Sequence, residues 1–179
     1  YHLDFITAML DPSLMQEIWD ALANRVFETV SSDHCSWLFK GHKDKGKDDF
    51  RKIPNGAPGV EERLMMVWQG VNAGRLTPTE FVDLVATRPA KVFGMFPKKG
   101  TIAVGSDADI VIWDPKAEFT ITQSEMHNAM DYSSYEGREV RGIPRHVLLR
   151  GKQIVRDREY VGTPGEGEFL RRDRYVSRA

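Results

Sequence analysis

The sequence predicts an α/β fold class, and three observations support this prediction. Apolar residues at helical spacing follow Asp11-Pro12 and lead straight into an apolar stretch that ends at Asp33. Two further helical patterns follow, over about residues 60–73 and from Thr77 onward. After Pro97 the apolar residues adopt the shorter period of strands. A helix that feeds a buried strand is the repeating unit of a parallel sheet, so we expect such a unit in the first half of the chain.

The first helix is predicted from its start signal and its apolar face. Asp11 can cap the helix, Pro12 suits the first helical position, and Asn24 suits the end. Apolar side chains recur along one face, namely Leu14, Met15, Ile18, Trp19 and Leu22. The strand that follows carries Val26, Phe27 and Val30, and it stops at Ser31-Ser32-Asp33.

A long loop and two more helices come next. The loop over residues 36–59 is basic, and loops of this length are usually functional or disordered. We expect a solvated active-site loop, because Phe39 and Phe50 are poor evidence for the interleaved aromatics of a nucleic-acid surface. The second helix ends at Gly74. A capping box, Thr77-Pro78-Thr79-Glu80, starts the third helix, which Arg88-Pro89 is expected to break before a short helical turn ending at Gly94.

The second half of the chain is predicted to be strands followed by a tail. Ile102 and Val104 are expected in one short strand and residues 110–113 in another, with the pattern continuing to Ile121. Residues 123–144 show little periodicity and are predicted to be irregular. A β-hairpin is expected around Arg150-Gly151-Lys152, flanked by Val147-Leu148-Leu149 and Gln153-Ile154-Val155. The basic tail from Thr163 is expected to be mobile alone or docked on a partner subunit.

Composition narrows the function classes. The chain has 179 residues, of which 41% are hydrophobic and 28% charged, as in ordinary globular proteins. A net charge of -1 argues against a nucleic-acid or membrane-surface role, and no apolar run approaches a membrane span. No signal peptide opens the chain, and its single cysteine suits a reducing compartment, so we expect a cytoplasmic protein. Because the first residue is Tyr1, we do not expect the sequence to begin at a native start.

Asp33 and Asn55 are the candidate site residues. An acid at the end of a strand can ligate a metal or move a proton, but it can also simply cap a turn. Asn55-Gly56 is a turn signal in its own right. His34 and Cys35 are adjacent on an extended chain and point to opposite faces, so we treat both as structural. Together with His42 they lack the fourth ligand and the spacing of a zinc site.

Three motifs resemble one family. Ser32-Asp33-His34-Cys35, Lys52-Ile53-Pro54-Asn55-Gly56 and Val60-Glu61-Glu62-Arg63 resemble the last barrel strand and following loop of the dihydropyrimidinase and D-hydantoinase family. The stretch over residues 100–114 is similar to the strand pair that follows the barrel throughout the amidohydrolase superfamily.

The resemblance implies a fold and its division. The fold would be the C-terminal part of a TIM-type (β/α)8 barrel, followed by strands of a small β-sandwich and a tail. Residues 1–95 would hold the last barrel strand and its flanking helices, residues 96–160 the sandwich strands, and residues 161–179 the tail. Family members carry a Ser-Pro-Pro substrate contact near residues 1–10, which this sequence lacks.

The resemblance also implies an activity for the intact protein, which is hydrolysis of a cyclic amide. A 5,6-dihydropyrimidine or hydantoin would open to an N-carbamoyl amino acid at two divalent metal ions, with zinc as the expected metal. Asp33 would be both metal ligand and catalytic residue, and the backbone of Asn55 would bind the substrate. A homo-oligomer, dimer or tetramer, would be the expected assembly. The isolated chain is expected to be inactive, because it contains only one expected ligand.

Two alternatives stay open. A non-catalytic scaffold of the collapsin response mediator type shares the architecture but lacks the acid that this chain keeps at Asp33. A sister amidohydrolase, an allantoinase or a dihydroorotase, would act on another ring.

Overall fold

The computed structural model describes residues 12–174, which form helices followed by one antiparallel sheet. The helices are α1 (Pro12–Ala23), α2 (Glu62–Asn72), α3 (Pro78–Val82) and α4 (Arg88–Val92). The sheet contains β1 (Ile110–Thr120), β2 (Glu139–Leu149), β3 (Lys152–Arg156) and β4 (Glu159–Tyr160), hydrogen-bonded in that order. Short 3-10 helices occupy Lys43–Gly46, Phe50–Lys52 and Gln123–Glu125. No helix in this part of the chain has both the length and the apolar character needed to cross a bilayer.

The first helix is confirmed, but the strand predicted to follow it is not formed. α1 begins at Pro12, while the proposed cap Asp11 lies outside the described residues. The stretch that ends at Asp33 belongs to no strand, and the nearest pairing is a single parallel bridge between His34 and Ala57. The physical reason is that a strand needs a neighbour, and residues 12–174 provide none beside this stretch. Val30 is nevertheless buried in the core.

The second helix ends, and the third begins, where the sequence signals place them. α2 ends before Gly74, which has a positive φ of 69°. α3 begins with the predicted capping box, in which the Glu80 carboxylate accepts from the Thr77 N–H at 2.7 Å. The Thr77 hydroxyl in turn accepts from the Glu80 N–H at 3.2 Å.

The short helical turn predicted before Gly94 is confirmed as α4, but the predicted break at Arg88-Pro89 is wrong. A five-residue π turn, Asp83–Thr87, joins α3 to α4 without leaving helical geometry, and Arg88 keeps φ -66° and ψ -47°. The buried Arg88 guanidinium donates to the Asp83 carboxylate at 2.7 Å and to the Phe27 carbonyl at 3.0 Å. These bonds hold the chain on its helical path past Pro89, whose missing N–H falls directly after the π turn.

The sheet differs from its prediction at both ends. Ile102 and Val104 form no strand and are 82% and 109% exposed, because no neighbouring strand covers them in the described chain. Residues 139–144, predicted to be irregular, instead begin β2 and pair with β1. The β2–β3 hairpin is confirmed, and Arg150 and Gly151 both have positive φ, 47° and 84°, as a two-residue hairpin turn requires.

α2 connects two hydrophobic clusters. Its Trp68 packs with α1 and α3, and its Met65 and Met66 pack against the sheet. The first cluster contains Trp19, Leu22, Val30, Val67, Trp68, Leu76, Phe81 and Leu84. The second contains Met65, Met66, Ile121, Met126, Tyr135, Val140 and Ile143. Trp113 of β1 contacts both clusters, so helices and sheet share one continuous interior.

The tail contacts its own chain as far as Asp173. The Asp173 N–H donates to the Gly94 carbonyl at 2.9 Å, and the Arg150 guanidinium donates to the Glu166 carbonyl at 2.5 Å. Lys152 pairs with the Glu166 carboxylate. The prediction of an arm that is free or held by a partner therefore omitted these contacts within the chain.

Candidate functional site

Asp33 lies at an abrupt turn after the extended stretch that follows α1. Its φ of 45° is in the left-handed region, which residues other than glycine adopt infrequently and Asp more readily than most. The side chain is exposed, and the Asp33 carbonyl accepts from the Cys35 thiol at 3.4 Å. Strained backbone of this kind is concentrated at functional sites, where surrounding contacts hold it in place.

Those contacts come from His34 and Cys35, as their structural interpretation predicts. The Cys35 N–H donates to the Ala57 carbonyl at 3.1 Å, and His34 forms the bridge to Ala57. The His34 Nδ1 accepts from the Gly59 N–H at 3.1 Å and from the Val60 N–H at 3.4 Å. The segment after Asp33 is thereby joined to the segment that follows Asn55.

The Asn55 turn presses against Cys35. Gly56 has φ 92°, and a Cβ there would lie 2.2 Å from the Cys35 sulfur. Only glycine fits at this point, for both conformation and space. Asn55 is exposed, and no group of residues 12–174 hydrogen-bonds its side chain or its main chain. Its backbone N–H and carbonyl are therefore available to a ligand.

The Val60-Glu61-Glu62-Arg63 motif fixes this region to the rest of the fold. The fully buried Glu62 accepts from the Ser133 hydroxyl at 2.7 Å, and Arg63 donates to the Val30 carbonyl at 2.5 Å. Burial lowers the pKa of Arg63. Glu61 accepts from both the N–H and the ring of His127. The motif thus links the strand-like stretch before Asp33 to residues 127–133.

Sequence reasoning missed Asp131, which anchors the long loop. Its carboxylate accepts from the Phe39 N–H at 2.7 Å and from the Lys40 N–H at 3.0 Å. The N–H groups of Lys40 and Phe39 hold the pKa of Asp131 below its usual value. No local signal could have found it, since the partners are about ninety residues apart in a stretch without periodicity.

The described residues do not by themselves fit a two-metal centre. No three His, Cys, Asp or Glu side chains in residues 12–174 converge as metal ligands would. The His34 Nδ1 is occupied by main-chain donors, and the His42 Nδ1 accepts from the Leu38 N–H at 3.1 Å. The expected ligand Asp33 therefore belongs to no such group in this part of the chain.

The chain is similar to known proteins over most of its length. A family model described as the amidohydrolase family matches residues 12–154. D-hydantoinase of Ralstonia pickettii is 74% identical over 158 residues, which are 88% of this chain and 35% of that protein. Dihydropyrimidinase of Rattus norvegicus is 42% identical over 167 residues, 93% of this chain and 32% of that protein.

Solved structures agree with these relatives. A D-hydantoinase structure that is 73% identical superposes with a TM-score of 0.87, covering 89% of this chain and 35% of the other. A dihydropyrimidinase structure from Brevibacillus agri NCHU1002 is 45% identical, with a TM-score of 0.87, and covers 90% of this chain and 35% of the other. The chain therefore spans about a third of the length of the relatives it matches.

Proposed function

Because the chain belongs to the amidohydrolase family, we propose that it is the C-terminal part of a cyclic amidase. The intact protein would hydrolyse a dihydropyrimidine or a hydantoin to its N-carbamoyl amino acid. One observation carries this proposal. The segment with the exposed, left-handed Asp33 is joined to the segment with Asn55, whose main chain has no partner in residues 12–174, within a region that is 74% identical to the D-hydantoinase of Ralstonia pickettii.

The stretch before Asp33 would be the last strand of a TIM-type barrel in the intact protein. Its lack of a neighbour in residues 12–174 fits this role, because the adjoining strands would lie outside them. Reacting groups of such barrels are placed at the carboxyl ends of the strands, which is where Asp33 stands relative to this stretch.

Asp33 supplies proton transfer in this proposal. An amide is a poor electrophile, and its nitrogen must gain a proton to leave. The Asp33 carboxylate takes a proton from the attacking water, whose oxygen bonds to the ring carbonyl carbon. It then returns that proton to the ring nitrogen as the carbon–nitrogen bond breaks. An exposed carboxylate at the open end of the proposed barrel is accessible for both proton transfers.

Asn55 orients the ring through its main chain. Groups whose direction is set by the fold suit this task, because they lose no side-chain freedom on binding. The Asn55 N–H and carbonyl would meet the amide edge of the ring, which offers the matching acceptor and donor.

Divalent metal ions, with zinc as the first expectation, would complete the site. Such ions lower the pKa of a bound water to about 7, and in the proposal Asp33 is the ligand that this chain contributes. The other ligands would come from outside the described residues, since these do not form a metal cluster. We also propose a homo-oligomer, a dimer or tetramer, as the functional assembly.

The full-length protein tests the proposal directly. It should open dihydrouracil or hydantoin, with the N-carbamoyl product measured by chromatography and the allantoin and dihydroorotate reactions run beside them. Turnover of allantoin or dihydroorotate alone would replace the proposed substrate class. No turnover of any of the four rings, with metal supplied, would favour the non-catalytic scaffold instead.

A further inference from the structure

One lysine of the loop after Asp33, Lys43, contacts the Asn55 turn. The Lys43 ammonium donates to the carbonyls of Pro54 and Gly56, the residues on either side of Asn55. We propose that Lys43 is a positioning residue that fixes the main chain of Asn55 for substrate binding. This inference rests on the proposed function, because it assumes that Asn55 binds the ring.

Peptide geometry explains how two carbonyl contacts orient a third residue. The Pro54 carbonyl and the Asn55 N–H belong to the same planar peptide group and point in opposite directions. Holding the carbonyl therefore also sets the direction of the N–H. Holding the Gly56 carbonyl fixes the peptide group that follows. Only the torsions of Asn55 and Gly56 lie between these two planes, and packing on Cys35 restrains Gly56. The Asn55 carbonyl is thereby restrained from both sides.

The lysine is itself held at its backbone end. Lys43 begins a 3-10 helix, and its N–H donates to the Leu38 carbonyl at 3.2 Å. The Asp44 carboxylate accepts from the Gly41 N–H at 2.8 Å, which closes the turn before it. Asp131 fastens residues 39 and 40 to a distant part of the chain. A long side chain fixed at both ends acts as a brace, and bonds from an ammonium are stronger than neutral ones.

Lys43 differs from the other lysines of its loop. Lys45 and Lys47 are exposed, and their ammonium groups contact no partner in residues 12–174, whereas Lys43 is half-buried. Lys43 therefore makes a specific contact, whereas neighbouring lysines of this basic loop are solvated. Lys45 lies in the same 3-10 helix and provides a matched control.

Steady-state kinetics of the full-length enzyme test the inference. Lys43→Met should raise KM for the ring substrate about 10-fold and leave kcat within about threefold, because a contact shared by ground and transition states affects binding uniformly. Lys43→Arg keeps a cationic donor and should recover most of the loss. Lys45→Met removes the same charge from the same turn and should change neither constant.

Three results would overturn it. An unchanged KM in Lys43→Met, in an active enzyme, would contradict the positioning role and leave the proposed function intact. Equal losses in the Met and Arg variants, together with a lowered Tm, would show that Lys43 only supports the loop. A wild-type protein that opens no cyclic amide would contradict the proposed function, and the inference with it.

Discussion

Asp33 and Gly56 both have left-handed backbone, but the structure requires it for different reasons. Gly56 must be glycine, since a Cβ would meet the Cys35 sulfur at 2.2 Å. Asp33 carries a side chain at φ 45° in spite of the strain, and its carboxylate is exposed. Asp tolerates this conformation better than most residues, so the case for Asp33 as a reacting group rests on its exposed carboxylate and its place beside the Asn55 turn.

Substitutions at the Asn55 turn should separate main-chain from side-chain binding. In the full-length enzyme, Gly56→Val should lower kcat/KM by about 100-fold or more, because small displacements of positioning groups have effects of that size. Asn55→Ala should cost much less, since it leaves the main chain in place. A collapse in Asn55→Ala with little effect of Gly56→Val would identify the side chain as the contact.

For single residues, the sequence predicted the features that depend only on neighbouring residues. The Asn55-Gly56 turn and the structural roles of His34 and Cys35 follow from neighbouring residues and strand geometry. The contacts of Lys43, Asp131 and Glu62 depend on partners 11 to 92 residues away, and nothing in their immediate surroundings indicates them. The roles of Asp33 and Asn55 in catalysis and binding stay predictions.

Among the elements, α2 and β2 approach each other closely at Gly142. Gly142 lies in an irregular stretch of the β1–β2 pairing, with φ 95°, and a Cβ there would lie 2.2 Å from the Trp68 ring. Trp68 in turn packs on Phe81 and Trp113, with ring centroids 5.0 and 5.2 Å apart. Glycine at this position lets the helix approach the sheet.

Gly142→Ala should therefore destabilise the protein beyond the strain of the backbone alone. Gly137→Ala is the matched control, since Gly137 has φ 77° and open space around its Cα. Overpacking costs about 1–3 kcal/mol, so the Tm of full-length Gly142→Ala should fall clearly below that of Gly137→Ala. Equal midpoints for the two variants would show that the Trp68 contact adjusts freely.

The loop anchor should respond to acid. The lowered pKa of Asp131 means that its bonds to the Phe39 and Lys40 N–H groups stabilise the loop above the ordinary carboxyl pKa of about 4. That contribution is lost as the pH falls through the lower, folded value. Asp131→Ala should speed hydrogen exchange of both amides at neutral pH, whereas Asp48→Ala, at an exposed carboxylate without a partner in residues 12–174, should not. Equal exchange in the two variants would contradict the anchor.

Helix ends could be predicted because the residues that mark them lie within one turn of the end. The capping box, Pro12 and Gly74 place helix ends correctly because caps act within one turn. Strands depend on neighbours that can lie far along the chain or outside the described residues. The stretch before Asp33 and residues 102–104 therefore have strand-like sequences without strands, while the start of β2 was missed.

At the scale of the whole molecule, the chain spans about a third of the length of the relatives it matches. The barrel, the metals and the oligomer belong to the proposed intact protein and stay predictions, as does the division of this chain at residues 95 and 160. Residues 1–179 alone should open neither dihydrouracil nor hydantoin when zinc is added, since one carboxylate cannot hold two metal ions. Robust turnover by the isolated chain would contradict this account of the site.

Asp33→Asn in the full-length enzyme is the most direct test of the central claim. Asparagine keeps the shape and one oxygen but cannot accept and return a proton, and placed proton transfer is worth about 10²–10⁴ in rate. We expect kcat to fall by at least about that factor, with an unchanged Tm, while Glu28→Gln, an exposed acid of the same stretch, leaves kcat unaltered. Near-normal kcat in Asp33→Asn, with bound metal retained, would mean that Asp33 only caps a turn and would contradict the proposal.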